Sequence, residues 1–510
     1  MHKEKKRRTT YCSASIKANW EMMLVWCVLT LLALVPVSTA ANPGVKVKLT
    51  QKGLDYGRQL GIATLQQRFS TISLPDQSGT EKIFIGKVEY SVTGIRIVNL
   101  GLPTSTVELV SGTGVRLSID NANIKAQGNW RVRYLRFIKA SGSFDLTVSG
   151  VTISVTIAVN NDNRGRPSVS MTSCTADVRD VDVRFSGRLS WLYNLFRSFI
   201  ERPIRNSLQA QICPLVAKSI PDINTELATL NVVAKVDRYV EIDYSMLGSA
   251  LISSESIDLG LKGVFYNIGQ RNEPPFFPKP FALPSQNTKM LYIGLSAFTV
   301  NSAAFAYHNA GAFSFDITDD LLGGLFASRR AISPDSDFRL NTKIFEASIP
   351  QVAKLYPGLK MRLLVKTVKE PIITFEPNNV TVQVSSTVTA YVIHQNNTLS
   401  PLFVLSLEAS ASAKVNIAGL NLIASVTLNR IQLSVNKSYV GKFEVPSPQA
   451  SSQFDNLLKT ILEFTVIPKV NARLQNGFPL PAMGKIKLVN PQLVVVKDYL
   501  LIGTDGQFLG

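Results

Sequence analysis

Histidine and cysteine are scarce in this chain: of 510 residues only three are His and four are Cys. His308 and His394 lie in its body, and neither stands beside a second metal-ligand type or an evident nucleophile. That leaves no histidine pair for a transition-metal centre and no base placed to activate a nucleophile. A G-x-S-x-G elbow, an H-E-x-x-H helix, a Walker loop and a dinucleotide-binding glycine pattern are also missing. "DITDDL", Asp316 to Leu321, gathers three carboxylates without the spacing of a calcium loop and reads as a solvated turn. The chain therefore reads as a binding protein and not an enzyme, with no metal and no cofactor.

Acidic residues are few relative to basic ones, 36 against 54, for a net charge of +18. The excess points to an anionic partner, whether nucleic acid, acidic glycan or lipid surface. A hydrophobic content of 45% and a charged content of 18% exclude a disordered chain. At 510 residues the chain exceeds one ordinary core, so two large domains or several small ones are expected.

Long apolar runs are missing too, except one. "MMLVWCVLTLLALVPV", Met22 to Val37, falls short of the ~20 residues of a membrane span. It follows the basic "MHKEKKRR" and precedes the small residues Ser38 to Ala40, the order of a secretory signal cleaved after Ala40. Its long basic region leaves an uncleaved signal-anchor as the alternative, and a start at Met22 or Met23 would remove that oddity. Secretion, to the exterior or to a granule, disfavours nucleic acid as the partner. Cys12 and Cys27 leave with the leader, and Cys174 and Cys213 remain. In an oxidising compartment they form one disulfide, closing a loop of about 40 residues and contributing roughly 3–4 kcal/mol, with a buried free pair as the alternative. The sequons at Asn379, Asn396 and Asn436 are expected glycosylation sites.

Along the body, apolar residues recur with period two, the mark of half-buried strands. In "SFDLTVSGVTISVTIAV" the phase slips at Gly150, which implies a bulge, bend or turn. "AKVNIAGLNL" from Ala413 repeats the spacing of "FDLTVSGVTI" from Phe144, with Gly419 in place of Gly150. "NLFRSFIERPIRNSLQ" from Asn194 pairs with "NLLKTILEFTVIPKVNARLQ" from Asn456, each with a P-x-x-N step, Pro203 to Asn206 and Pro468 to Asn471. "LPTSTVELV" from Leu102 pairs with "EPNNVTVQV" from Glu376. Three pairs in the same order predict two homologous halves. Between them "QRNEPPFFPKPFALP", Gln270 to Pro284, is proline-rich and semi-rigid, a linker. The division expected is 1–40 signal, 41–265 amino-terminal domain, 266–284 linker and 285–510 carboxy-terminal domain.

Each half owns a long helix near its start and another near its end. In the first, Leu49 to Phe69, Gly53, Gly57 and Gly61 share a stripe with Leu54, Ile62, Leu65 and Phe69. A stripe without side chains permits close packing on a sheet, or room for a guest such as an acyl chain.

One stretch is both cationic and apolar: "GNWRVRYLRFIKASG", Gly128 to Gly142. Arg131, Arg133, Arg136 and Lys139 alternate with Trp130, Tyr134, Phe137 and other apolar residues, and no acid lies between Asp120 and Asp145. Strand-rich flanks and bracketing glycines favour a β-hairpin over a surface helix. Guanidinium groups pair with phosphate, and Trp, Tyr and Phe seek lipid interfaces, so the strip suits an anionic amphiphile.

"NPGVKVKLTQKGLDYGRQLGIATLQ" from Asn42, "NANIKAQGNW" from Asn121, the Cys174 and Cys213 pair, the proline-rich linker and "LQNGFPLP" from Leu474 resemble the family of bactericidal/permeability-increasing and lipopolysaccharide-binding proteins. That family also holds phospholipid and cholesteryl ester transfer proteins, and the resemblance runs from Asn42 to about Gly503. It implies an α+β fold: two homologous barrels of twisted antiparallel sheet wrapped with long helices, joined by a central sheet into an elongated boomerang. It implies a phospholipid in an apolar pocket of each barrel; Leu54, Gly57, Gly61, Ile62 and Leu65 are the expected lining of the first. It implies a basic amino-terminal tip for the lipid A part of lipopolysaccharide, carried by Lys125, Trp130, Arg131, Arg136 and Lys139, with Arg133 adding charge and Lys82 and Lys87 forming a second segment. The expected function is a secreted, monomeric innate-immune protein acting against Gram-negative bacteria. Its partners would be lipopolysaccharide, phospholipid, the outer-membrane surface and a host endotoxin receptor. The alternative is a phospholipid carrier without endotoxin specificity.

Overall fold

Strands that alternate along most of a chain must find partners, and the computed structural model shows which. It describes residues 42–68, 76–83, 86–134, 137–186, 197–322, 339–346, 349–441, 448–481 and 486–509. The leader, with Cys12, Cys27, Met22 and Met23, lies outside the described residues, and so does Arg136.

Strand β1 (Val45–Thr50) runs into helix α1 (Gln51–Arg68). Then come β2 (Gln77–Ile83), β3 (Gly86–Gly101), β4 (Thr104–Val110), β5 (Gly114–Tyr134), β6 (Ile138–Asn161), β7 (Pro167–Phe185) and helix α2 (Arg197–Leu227). The middle of the chain forms β8 (Val233–Lys235), β9 (Val240–Asp243), β10 (Leu251–Ile252), β11 (Ser256–Leu261), β12 (Val264–Asn267) and β13 (Leu291–Ser296). Helix α3 (Ala297–Asn309), β14 (Ser314–Thr318) and helix α4 (Pro350–Leu355) lead to β15 (Met361–Thr367), β16 (Ile372–Glu376), β17 (Asn379–Ile393), β18 (Leu399–Ala418) and β19 (Asn421–Ser438). Helix α5 (Pro448–Gln475), β20 (Phe478–Pro479), β21 (Ile486–Val496) and β22 (Tyr499–Phe508) follow.

The expected duplication is visible in the topology. The amino-terminal sheet has the order β2-β3-β5-β6-β7 with β4 on β5; the carboxy-terminal one has β14-β15-β17-β18-β19-β20 with β16 on β17. Both are antiparallel meanders, and a long helix packs on each, α2 on β7 and α5 on β19. Helix and sheet are tied by the same device. The Asn224 amide donates to Val169 O at 2.9 Å and accepts from Val169 N at 2.8 Å. The Asn471 amide does so with Val426, at 3.0 and 2.7 Å.

This corrects the pairing of repeats. The counterpart of the Pro468 to Asn471 step is Pro221 to Asn224, later in α2 than Asn206. Gly150 is a left-handed residue inside β6, where pairing with β5 shifts register between Ala122↔Val151 and Ile124↔Val148. Gly419 is also left-handed but sits in the turn joining β18 to β19, beside the Ala418↔Asn421 pair. The two share a conformation that glycine adopts freely, not a place in the fold. The Leu102 stretch covers β4 and the Glu376 stretch opens β17, so they too are not equivalent. Phe144, Leu146 and Val148 after the β5–β6 hairpin instead correspond to Phe403, Leu405 and Leu407 after the β17–β18 hairpin, and all six are buried.

A third sheet, β10-β11-β1-β13-β22-β21, draws strands from both ends and the middle of the chain. In β1, Val45 and Val47 enter its core. Lys46 and Lys48 point the other way, onto the proline-rich segment. Lys46 Nζ donates to Phe281 O, Lys48 Nζ to Pro284 O at 2.9 Å, and Lys52 Nζ in α1 to Thr288 O at 3.1 Å. Prolines supply no N–H for a ladder, so the segment's carbonyls need outside donors, and alternate lysines provide them.

Candidate functional site

Two hairpins end side by side in the amino-terminal sheet. The basic strip is the β5–β6 hairpin: Trp130 to Tyr134 pairs with Ile138 to Gly142, and Phe137 N bonds Tyr134 O at its turn. Strand β3 lies along β5 with Val88 opposite Tyr134, which brings the end of the β2–β3 hairpin alongside. Successive side chains of a strand face opposite ways. Val88, Val132 and Tyr134 therefore go into the core, and Lys87, Glu89, Arg131 and Arg133 go out. Lys139 stands opposite Arg133, and Lys82 opposite Lys87. Five exposed cations thus share one outer face, with Phe137 at 89% exposure and Ile138 at the turn.

The same alternation corrects the reading of Trp130. It was expected at a lipid contact; it is 3% exposed, donates Nε1 to Ser143 O at 3.0 Å and packs edge-on against Phe185. Trp130 is a core residue, and Phe137 is the exposed aromatic. Lys125 is exposed on β5 six residues before Arg131, roughly 20 Å along the strand and away from the hairpin end. Arg133 is not unopposed: its Nη1 lies 3.8 Å from Glu89 Oε2, a half-exposed pair of small energetic weight.

In the carboxy-terminal half the curled sheet, helix α5 and the segment at β8–β9 enclose a cavity of about 1140 Å³. Strand β18 explains why there is room. Beyond Leu407 its inward residues are Ala409, Ala411 and Ala413, where the pattern "EASASAK" keeps alternation but removes bulk. Ile242, Phe265, Val380, Leu428 and Leu462 supply further apolar wall.

Polar groups gather at one part of this wall. Asp237 accepts from Arg473 Nη2 at 2.8 Å and from the Tyr307 hydroxyl at 2.9 Å on one oxygen, and from the amides of Tyr239 and Val240 on the other. Burial alone would raise its carboxyl pKa, but these donors outweigh it and hold the group below the usual carboxylate range. Burial, and then the Asp237 charge, push the Tyr307 hydroxyl well above its ordinary value. The Arg473 guanidinium sits 4.6 Å from the Tyr239 ring centre and 4.9 Å from that of Tyr307, and Arg238 lies 4.7 Å from Tyr239.

Cys174 on β7 and Cys213 on α2 form a disulfide, stapling helix to sheet in the amino-terminal half. His308 Nδ1 lies 2.7 Å from Thr367 Oγ1, and His394 Nε2 lies 2.9 Å from Ser400 Oγ. Among the described residues no cluster of His, Cys, Asp and Glu could hold a metal, and no helix is long and apolar enough to cross a membrane.

The model of the LBP / BPI / CETP family's N-terminal domain matches residues 53–230, and that of its C-terminal domain matches residues 234–508. This chain belongs to the LBP / BPI / CETP family. The first match takes in both hairpins and the second takes in the cavity. A bactericidal permeability-increasing protein of Sebastes schlegelii is 55% identical over 489 residues, 96% of this chain and 100% of that one. A lipopolysaccharide-binding protein of Bos taurus is 34% identical, covering 94% and 97%. The crystal structure of a lipopolysaccharide binding protein superposes with a TM-score of 0.59 at 33% identity, covering 92% of this chain and 100% of that one.

Within this LBP / BPI / CETP chain the stripe on α1 divides. A Cβ at Gly53 would meet Leu49 and Met290 O within 3 Å, whereas at Gly57 or Gly61 it would meet nothing within 4 Å. Leu54 packs on the central core and Ile62 on the amino-terminal one. Leu65 lies in α1, and its side chain is outside the described residues. None of the five lines the carboxy-terminal cavity. The cavity's own residues went unread from the sequence; the alanine row of β18 was the available signal, and no local signal links Asp237 to Arg473. Asn379, Asn396 and Asn436 are all exposed.

Proposed function

We propose that this protein binds the lipid A part of bacterial lipopolysaccharide at the ends of the two amino-terminal hairpins and carries phospholipid in apolar pockets. The observation that carries this reading is the shared outer face of Lys82, Lys87, Arg131, Arg133 and Lys139 beside exposed Phe137 and Ile138. Lipid A sets phosphates above acyl chains, so cations beside an apolar turn address both layers, and each cation near an anionic surface adds about 1 kcal/mol. Arg136, in the same hairpin sequence, and Lys125, farther along β5, are the remaining cations assigned to the site. The names of the relatives, bactericidal and lipopolysaccharide-binding, support the assignment. The role proposed is that of a secreted, monomeric innate-immune protein, glycosylated at Asn379, Asn396 and Asn436, acting against Gram-negative bacteria by binding and not by catalysis. The leader at 1–40 directs secretion, and the domains are 41–265 and 285–510 with a linker at 266–284. We assign Leu54, Gly57, Gly61, Ile62 and Leu65 to the amino-terminal pocket.

Replacing Arg131, Arg133, Arg136 and Lys139 by Ser tests the tip. Lipopolysaccharide binding is expected to be abolished with co-purified phospholipid retained. Equal affinity of variant and parent across a salt series would refute the assignment. The second reading, a phospholipid carrier that uses the tip only for docking, is favoured by the large carboxy-terminal cavity; it predicts transfer between vesicles with no discrimination for lipopolysaccharide.

A further inference from the structure

The cavity under the carboxy-terminal sheet exceeds the ~300–1,000 Å³ of small-molecule sites, and its depth is walled by aliphatic side chains, which suits acyl chains. A lipid lodged there must present its headgroup where the wall is polar and open to solvent. The charged residues of that wall are Asp237, Arg238, Asp316, Lys469 and Arg473.

Two of the three cations remain uncommitted once the pairs are removed. Asp316 is held by both Nε and Nη2 of Arg362. Asp237 is held by Arg473, and both of its oxygens are already engaged. Among the described residues Arg238 bonds only the Tyr239 hydroxyl, at 2.6 Å, and Lys469 has no acidic partner; both are exposed. Lys469 and Arg473 are one helical turn apart on α5, and Arg473 and Arg238 both lie over Tyr239, so the three form one patch.

The arrangement also disfavours a cationic headgroup. A quaternary ammonium needs a free aromatic face or a free carboxylate. Here both Tyr239 and Tyr307 carry a guanidinium, and the Asp237 carboxylate is taken. We propose that the carboxy-terminal cavity selects acyl lipids whose headgroup bears net negative charge, with Arg238 and Lys469 as the specificity-determining residues and Arg473, fixed by Asp237, completing the patch. This rests on the reading that the cavity carries lipid.

The test is to incubate the full-length protein with vesicles of equimolar phosphatidylcholine and phosphatidylglycerol of matched chains, re-isolate it, and identify bound lipid by native mass spectrometry. The parent should retain phosphatidylglycerol about thirtyfold over phosphatidylcholine, the order expected of two cations near a lipid surface. Arg238→Gln with Lys469→Gln should bring the ratio to near parity without changing the number of lipids bound. Lys279→Gln with Lys497→Gln, exposed cations that do not line the cavity, should leave the ratio as in the parent. An unchanged ratio in the Arg238/Lys469 variant, or a parent that prefers phosphatidylcholine, overturns the selection. Displacement of the lipid by soluble glycerol phosphate would show a simple anion site and also overturn it. A parent that retains no lipid overturns lipid carriage itself, a result distinct from retention without preference.

Discussion

The two long sheets share one topology and use their buried faces differently. After the hairpin, β6 and β18 both place large residues inward, Phe144, Leu146 and Val148 against Phe403, Leu405 and Leu407. Then they diverge. Strand β6 bulges against β5 at Gly150 and continues with Val151, Ile153 and Val155, whereas β18 continues with Ala409, Ala411 and Ala413. Three small residues on one strand turn a core into a container within the same order of long strands. The amino-terminal half keeps its cations at a hairpin end, and the carboxy-terminal half keeps them beside the cavity.

The comparison is broken most severely by exchanging bulk. Phe144→Ala, at a site 1% exposed, is expected to destabilise the protein by ~3–5 kcal/mol in denaturant unfolding. Ala411→Leu, pointing into the cavity, should cost less than ~1 kcal/mol while reducing the lipid retained. Similar losses of stability at both sites would show that the alanine row is packed core. A smaller effect sharpens the equivalence of the halves: Asn224→Ala and Asn471→Ala each strip one strand residue of two bonds, and each should cost about 1–3 kcal/mol. Unequal costs would show that one half depends on this tie more than the other. The smallest effect is acid sensitivity at the cavity wall. Because the folded Asp237 carboxyl titrates below its unfolded value, its stabilisation is complete above roughly pH 4 and is lost as pH falls through the folded value. The stability gap between parent and Asp237→Asn should therefore narrow between about pH 5 and pH 2, and a gap that widens on acidification contradicts the arrangement.

Much of the fold was legible because alternation is a local property. Strands and long helices followed from spacing, and the Cys174 and Cys213 pair from elimination; the duplication was inferred correctly from three pairs of segments that the fold shows not to be equivalent. What spacing cannot supply is register. Trp130 and Arg131 are adjacent letters, and only pairing with β3 and β6 decides that the tryptophan is inside. Glu89, far from Arg133 in sequence, becomes its neighbour by the same pairing. Within the long helices the P-x-x-N step occurs at Pro203, Pro221 and Pro468, and nothing local distinguishes the second as the partner of the third. The ion pair of Asp237 with Arg473 joins residues 236 positions apart, beyond the reach of any motif.

The proline-rich segment read as a spacer between two separable units, yet β1 lies hydrogen-bonded between β11 and β13, which flank that segment in sequence. Lys46 and Lys48 lace the segment to the outer side of the same strand. A protease that cuts there would nick the chain without releasing either half. An expression plasmid that stops at the linker would produce a fragment with β1 bare along one edge, open to another chain. The halves are alike in plan, but they were not made to be taken apart.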